Sequence, residues 1–286
     1  MIPLKDNIPT GKFPVITVAL IAINIAVFAW QLSFSGDNYS SPPLRDLGIT
    51  ERDQNSIEYG AIPYRIVHPG RDCAAEVDET TSRGPEASVV CEGTTDYTDA
   101  ESSGKPFEPL DEAPWWETLI SSMFMHGGLL HIAFNMLFLW IFGNNVEDAM
   151  GRVKFAVFYL AAGVAAVYAQ AAIDPSSTVP TIGASGAVAG VLGGYALLHP
   201  QARVLTLIFI IFFVTLIEIP AMILLGIWFI LQFLPAVGQA AITDVGEGGG
   251  VAYFAHVGGF VFGLLTIKLF ADRHRRRENS TPYVAG

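Results

Sequence analysis

Residues 183–198 read GASGAVAGVLGGYALL, and residues 252–263 read AYFAHVGGFVFG. Each stretch is apolar and carries one side chain that can act as a nucleophile or a base, Ser185 in the first and His256 in the second. Polar side chains are costly in lipid, and those found inside apolar segments usually mark function. The two stretches therefore predict a serine and a histidine brought together inside a membrane bundle.

The composition indicates a membrane protein. The chain of 286 residues is 51% hydrophobic and 15% charged, whereas soluble domains are about 25% charged. Crossing about 30 Å of hydrocarbon takes roughly 20 helical residues. We expect an all-α protein in a lipid bilayer, with six transmembrane helices and no nucleic-acid partner. The predicted spans are 14–34, about 117–142, 153–173, 184–198, 219–237 and 251–271.

One apolar stretch, from Val204 to Val237, is too long for a single span. It is interrupted at Glu218-Ile219-Pro220, where the proline lacks a backbone donor and cannot lie unsatisfied against lipid. We therefore interpret residues 204–218 as an interfacial or re-entrant piece that precedes the fifth span.

Basic residues predict the orientation. With six spans, they fall on one side of the membrane, which the positive-inside rule makes cytoplasmic. The protein is then a multi-pass protein of the cell membrane with both termini in the cytoplasm. The basic residues that support this are Lys5, Lys12, Arg152, Lys154, Arg203, Arg273, Arg275, Arg276 and Arg277. The predicted organisation is an N-terminus (1–13), helix one (14–34), an extracytoplasmic loop (35–118), a membrane core (119–271) and a basic tail (272–286).

The long first loop is acidic and contains both cysteines. Residues 36–118 hold six Lys and Arg against eighteen Asp and Glu, and their composition favours partial disorder. Cys73 and Cys91 are predicted to form a disulfide, because the compartment is oxidising and closing such a loop is worth about 3 kcal/mol. The alternative is two free thiols.

The serine and the histidine each have a plain structural alternative. Gly183-Ala184-Ser185-Gly186 begins a helix, where unpaired amides and the positive helix end can stabilise an oxyanion. Small residues also simply let membrane helices pack closely. Gly258 and Gly259 follow His256 and leave a bare face for the serine helix to approach. A histidine in an apolar helix is often just packed, but burial also keeps it neutral and able to accept a proton.

The second helix carries a further polar cluster, His126, His131 and Asn135. His131 and Asn135 are four residues apart and share a helix face, whereas His126 points elsewhere. The pair could donate to an oxyanion, or it could hold the bundle together through interhelical hydrogen bonds.

Taken together, these motifs resemble those of the rhomboid family of intramembrane serine proteases. The resemblance also rests on Glu218-Ile219-Pro220-Ala221 and on Gly143 to Asp148. It implies Ser185 as nucleophile, His256 as general base, and His131, Asn135 and the Ser185 amide around the oxyanion, with a structural role for His126. It also implies membrane-protein substrates with transmembrane segments, cleaved near the outer membrane face without a metal or a cofactor. The oligomeric state stays open.

Two departures from the family pattern are visible. Ala189 stands where the family often has an aromatic residue that stacks on the histidine, so either another side chain orients His256 or the ring is held less firmly. The first loop is also longer than in some members. Helix five, with Trp228, Phe229 and Phe233, and the Gly-rich segment 238–250 are interpreted as a gate and cap; the alternative is that these aromatics face lipid.

Two other functions fit the composition less well. A rhomboid-like pseudoprotease would bind or escort membrane proteins, but it has no need of both Ser185 and His256. A transporter or channel would use intramembrane polar groups, but the sequence has no internal repeat.

Overall fold

The computed structural model describes residues 1–34, 50–78, 86–103, 107–110, 112–210, 213–241 and 252–271. Most of these residues are helical, and the prediction of a helical membrane protein is confirmed at that level. The helices are α1 (Val15–Gln31), α2 (Glu51–Tyr59), α3 (Pro63–Val67), α4 (Thr95–Ser103), α5 (Trp115–Ser121), α6 (Leu129–Phe138), α7 (Asn144–Met150), α8 (Arg152–Ile173), α9 (Ser185–Leu198), α10 (Ala221–Ala241) and α11 (Tyr253–Phe270). The strands are β1 (Ile2–Asp6), β2 (Cys73–Asp78), β3 (Glu86–Cys91), β4 (Phe107–Pro109), β5 (Arg203–Ile210) and β6 (Phe213–Pro220).

Several apolar helices make this a membrane protein. Among the residues that the structure describes, three helical stretches are long and apolar enough to cross a bilayer, namely Leu129–Met150, Arg152–Ile173 and Tyr253–Phe270. Three further apolar helices are shorter, and α1 and α9 are among them. The count of six spans therefore stays a prediction.

The second predicted span has different bounds in the structure. A span over about residues 117–142 was expected, but α5 ends at Ser121 and a new helix begins at Leu129. Gly127 and Gly128 lie in the break, where their low helix propensity favours an interruption. The new helix continues through a π-helical turn, Leu139–Gly143, into α7 and ends at Met150.

Residues 203–210 and 213–220, most of which we interpreted as an interfacial or re-entrant piece, form two paired strands that the all-α prediction did not include. β5 and β6 pair antiparallel from Arg203 opposite Pro220 to Ile210 opposite Phe213, and β1 adds to the other edge of β5. Val, Ile, Phe and Thr dominate the two strands, and these residues fit a pleated sheet. Pro220 ends β6, so its missing N–H interrupts no helix, and α10 begins at Ala221.

The first loop contains a folded unit, which we call the loop subdomain (residues 50–121). Its strands form a sheet in the order β3-β2-β4, and its helices are α2 to α5. Cys73 and Cys91 lie opposite each other in β2 and β3 and are joined by a disulfide. The expectation of partial disorder stays a prediction for the loop as a whole, and the described residues of the loop form helices and paired strands. Compact packing supports them: both cysteines are buried with Ile57, Ile62 and Tyr64.

The loop subdomain is attached to the segment that leads into α9. Ala61 and Thr181 exchange two backbone hydrogen bonds, of 3.0 and 2.9 Å. The Tyr64 amide donates to the Ser177 carbonyl at 2.9 Å. These contacts place the subdomain against residues 174–184, directly before Ser185.

Helix α1 is fastened to the core by buried polar contacts. Glu147 accepts hydrogen bonds from the backbone amides of Ile16 and Thr17 and from the Thr17 hydroxyl, at 2.8–3.0 Å. These amides are in the first turn of the helix, where backbone donors have no partner within the helix. A carboxylate there also favours the helix dipole.

Candidate active site

The nucleophile candidate lies at the first residue of α9. Gly183 precedes it with a φ of +127°, a conformation that residues with side chains rarely adopt. The Gly183 amide donates to the Ser122 carbonyl at 2.8 Å, which fixes the turn. Ser185 is half-buried, while nearly all of α9 behind it is buried.

Glycine faces allow the serine helix and the histidine helix to touch. A Cβ on Gly259 would overlap the Gly186 carbonyl, and a Cβ on Gly263 would overlap the Gly190 carbonyl. The backbones of α9 and α11 are therefore in direct contact, as the small residues in both helices predict. Gly258 faces a different neighbour, Ala169 of α8.

Ser185 and His256 meet at this contact. The Ser185 Oγ lies 2.7 Å from Nε2 of His256, although the two residues are 71 positions apart in the chain. His256 is buried, with 9% of its surface exposed. A neutral imidazole in this position accepts the hydroxyl hydrogen through Nε2, which is the arrangement that activates a serine.

The other side of the imidazole contacts α10. Nδ1 of His256 lies 2.7 Å from the side-chain oxygen Oε1 of Gln232. The Trp228 ring lies beside the imidazole, with centroids 6.1 Å apart and planes inclined by 37°. Ala189 is fully buried and offers only a methyl group. The side chains beside the histidine ring therefore come from α10.

His131 and Asn135 lie near the serine. A Cβ on Gly183 would come within 2.7 Å of the His131 imidazole and 3.4 Å of the Ser185 hydroxyl, so these groups surround one small space. The Gly127 amide faces Nδ1 of His131 at 3.4 Å, which leaves Nε2 to carry the ring hydrogen. Asn135 uses one amide hydrogen on the His131 carbonyl, at 3.0 Å, and keeps the other.

His126 packs behind these residues. Its ring stands edge-on to that of His131, with centroids 5.1 Å apart, and its Nδ1 faces the Phe124 carbonyl at 3.2 Å. Its backbone amide donates to the Gln31 side chain at 2.9 Å. His126 is therefore placed to support His131 and does not line the cavity that holds Ser185.

An open cavity of about 2000 Å³ connects these groups to the loop subdomain. Ser185, His256, His131 and Asn135 all line it, as does Gln232. Part of its wall comes from the subdomain, through residues that include Glu76, Ser88, Thr94, Asp96 and Asp99.

Four of these residues, Ser185, His256, His131 and Asn135, were predicted from the sequence, and Gln232 was not. The available signal was that Gln232 is the only strongly polar side chain between Ala221 and Val237. Its partner could not be found from the sequence, because the contact depends on how α10 is rotated against α11.

Comparisons with known proteins agree with the motifs. The family model of the Rhomboid domain matches residues 112–273, more than half of the chain. Rhomboid protein 1, mitochondrial, of Saccharomyces cerevisiae is 30% identical over 152 residues, which are 52% of this chain and 40% of that protein.

Two further relatives match shorter stretches. Rhomboid protease GluP of Bacillus subtilis is 40% identical over 82 residues, 29% of this chain and 15% of that protein. The presenilin-associated rhomboid-like protein, mitochondrial, of Homo sapiens is 33% identical over 94 residues, 32% of this chain and 24% of that protein. The chain thus spans less than half the length of these relatives. The domain match, together with the arrangement of Ser185 and His256, leads to one conclusion: this chain belongs to the rhomboid family.

Proposed function

We propose that the protein is an intramembrane serine endopeptidase that cleaves transmembrane-segment substrates near the outer membrane face with a Ser185–His256 dyad. The observation that carries the proposal is the 2.7 Å contact between the Ser185 Oγ and the His256 Nε2. Family membership supports it, and one relative is itself named a protease.

The chemistry follows from the contact. Nε2 of His256 takes the hydroxyl proton as the Ser185 Oγ attacks the carbonyl carbon of the scissile peptide. The imidazolium then gives that proton to the leaving amine, and an acyl-enzyme remains. A water molecule, deprotonated in turn by His256, hydrolyses the ester and returns the serine.

Three donors are assigned to the oxyanion. They are the backbone amide of Ser185, the Nε2–H of His131 and the free amide hydrogen of Asn135. Each is fixed before the substrate arrives, which is the condition for strong electrostatic stabilisation of the transition state. No step in this scheme needs a metal or a cofactor.

We assign the Ser185 end of the bundle to the outer side, with both termini in the cytoplasm of a cell-membrane protein. The basic residues near the predicted inner ends of the spans support this orientation. Helix α9 has 14 residues, about 21 Å at 1.5 Å per residue against a core of about 30 Å. Ser185 then lies below the outer surface. Reporter fusions at Met1 and at Gly286 would each report a cytoplasmic position; an external reporter would reverse the assignment.

We assign the gate to α10. Phe233 and most of the apolar side chains of this helix are exposed, whereas Trp228 turns inward to the His256 ring. Substrate would enter sideways past this helix. Of the proposed cap, residues 242–250 lie outside the described residues. Crosslinking α10 to α6 should block cleavage. Full activity after crosslinking would contradict the proposal that α10 is the gate.

Reconstituted protein tests the proposed function directly. Purified protein in liposomes is incubated with a panel of tagged single-span proteins, with Ser185→Ala as the matched control. We expect cleavage and labelling by a serine-directed probe only in the wild type. Equal labelling of both proteins would contradict the protease assignment, and binding of substrates without cleavage would favour a pseudoprotease instead.

A further inference from the structure

Gln232 makes the second hydrogen-bond contact to the His256 ring. Its Oε1 lies 2.7 Å from Nδ1, while the Ser185 Oγ lies 2.7 Å from Nε2 on the opposite side of the same ring. The imidazole is therefore held between a residue of α9 and a residue of α10.

This pair of contacts selects one form of the histidine. A carbonyl oxygen only accepts hydrogen bonds, so the proton of a neutral ring must be on Nδ1 to satisfy Gln232. Nε2 is then unprotonated and can accept the serine hydrogen. The other tautomer would set Nδ1 and the amide oxygen, two acceptors, against each other in a buried place.

No acidic side chain is available to do the same from the neighbouring helices. Helices α9, α10 and α11 contain neither Asp nor Glu. Ala189 contributes only a methyl group, and Trp228 contacts the ring without a hydrogen bond. Gln232 is thus the group that the structure supplies to orient the base.

We propose that Gln232 is a positioning residue that fixes the tautomer and the orientation of His256, and that the base is aligned only while α10 packs against α11. The proposal rests on the proposed function, since it concerns the base of the same dyad. Because Gln232 belongs to α10, displacement of that helix would release Nδ1 and misalign Nε2.

Substitutions at Gln232 distinguish orientation from packing. Gln232→Met keeps the length of the side chain but replaces the amide oxygen by a weak thioether acceptor, so we expect kcat to fall about 10- to 100-fold with little change in KM. Gln232→Glu keeps the acceptor and should retain most of the activity. The matched control is Ile230→Met, at a position exposed on the same helix. Unchanged kcat in a folded Gln232→Met protein would overturn the proposal.

The pH profile separates a hydrogen bond from a steric effect. A carboxylate at position 232 would stabilise the imidazolium, so the acidic limb of the activity profile should move to higher pH by about one unit in Gln232→Glu. The other titratable groups that line the cavity are His131, Tyr253, Asp174, Glu76, Asp96 and Asp99. They are the same in both proteins. An unmoved limb in an active Gln232→Glu protein would count against the hydrogen bond.

The tautomer of His256 can also be measured in the wild type, so this test does not depend on whether a Gln232 variant folds. Nitrogen-15 NMR of histidine-labelled protein, with the His256 signal assigned through His256→Ala, reports which ring nitrogen carries the proton. We expect Nδ1–H; an Nε2–H signal would overturn the proposal. If the wild type neither cleaves nor labels, the proposed function fails, while the tautomer measurement still decides the role of Gln232.

Discussion

Gly183 shows how a single backbone conformation shapes the space beside the serine. Its φ is +127°, and a Cβ there would lie 2.7 Å from the His131 imidazole. Non-glycine residues are strained in this region by about 1–3 kcal/mol. The methyl group of an alanine would in addition push His131 away from the serine.

We therefore expect Gly183→Ala to reduce cleavage at least about tenfold, an effect of roughly 1.4 kcal/mol on the transition state. The control is Gly128→Ala, where the φ of 171° is ordinary extended backbone and an added Cβ meets open space. Initial rates on one tagged substrate compare the two. Equal rates would mean that His131 is not needed close to Ser185.

Residue types alone identified much of the site, but not its arrangement. Ser185, His256, His131 and Asn135 stand out because they are polar in apolar helices, and the structure brings them to one cavity. At Ala189 the sequence indicated only that an aromatic side chain beside His256 was missing. Trp228 and Gln232 occupy the space beside the ring from α10, and such a contact depends on helix rotation, which periodicity does not determine.

At the scale of elements, the contact between α9 and α11 holds Ser185 and His256 together. Gly263 faces the Gly190 carbonyl so closely that no side chain fits between them. Gly263→Ala should force the two backbones apart and destabilise the protein by about 1–3 kcal/mol. The Ser185 to His256 contact should lengthen at the same time.

Thermal unfolding in detergent and serine-probe labelling measure these two effects of Gly263→Ala. The matched control is Gly226→Ala on α10, where an added Cβ meets nothing within 4 Å. We expect the control to stay within about 0.5 kcal/mol of the wild type. A Gly263→Ala protein as stable and as readily labelled as the control would contradict direct backbone packing.

The elements that were mispredicted have separate physical reasons. Residues 203–220 are as apolar as a membrane helix, and hydropathy alone does not distinguish strands of a hairpin from a helix. The partner strand β1 lies some 200 residues earlier, so its pairing with β5 was not visible locally. Gly127 and Gly128 indicated the helix break before Leu129, but a continuous helix was predicted across them.

At the scale of the whole molecule, the loop subdomain contains a buried ion pair with a pH dependence. Arg65 Nε lies 3.0 Å from Glu112 Oε2, and both side chains are less than a tenth exposed. Burial raises the pKa of Glu112 to about 7, from an ordinary value of 4.5, although Arg65 opposes the shift. The folded subdomain therefore favours the protonated carboxyl.

The sign of the effect on stability follows from this raised pKa. The contribution of Glu112 to the free energy of unfolding is fully present below pH 4.5 and is lost as the pH rises through about 7. We expect the melting temperature of the subdomain to fall over that interval in the wild type and to change less in Glu112→Gln. Limited proteolysis during heating follows the transition. Glu117→Gln, at an exposed position, is the control, and an identical slope in all three proteins would exclude Glu112 as the titrating group.

Helix α1 is held at several points along its length by groups far away in the chain. β1 pairs with β5 before it, Glu147 binds its first turn, and Gln31 at its end accepts the His126 amide. Noncovalent contacts thus fasten both ends of the segment from Ile2 to Gln31. The position of α1 therefore depends little on the peptide bonds that follow Gln31. A chain cut between α1 and the loop subdomain should reassemble as two complementary fragments, because each fragment keeps its share of these contacts.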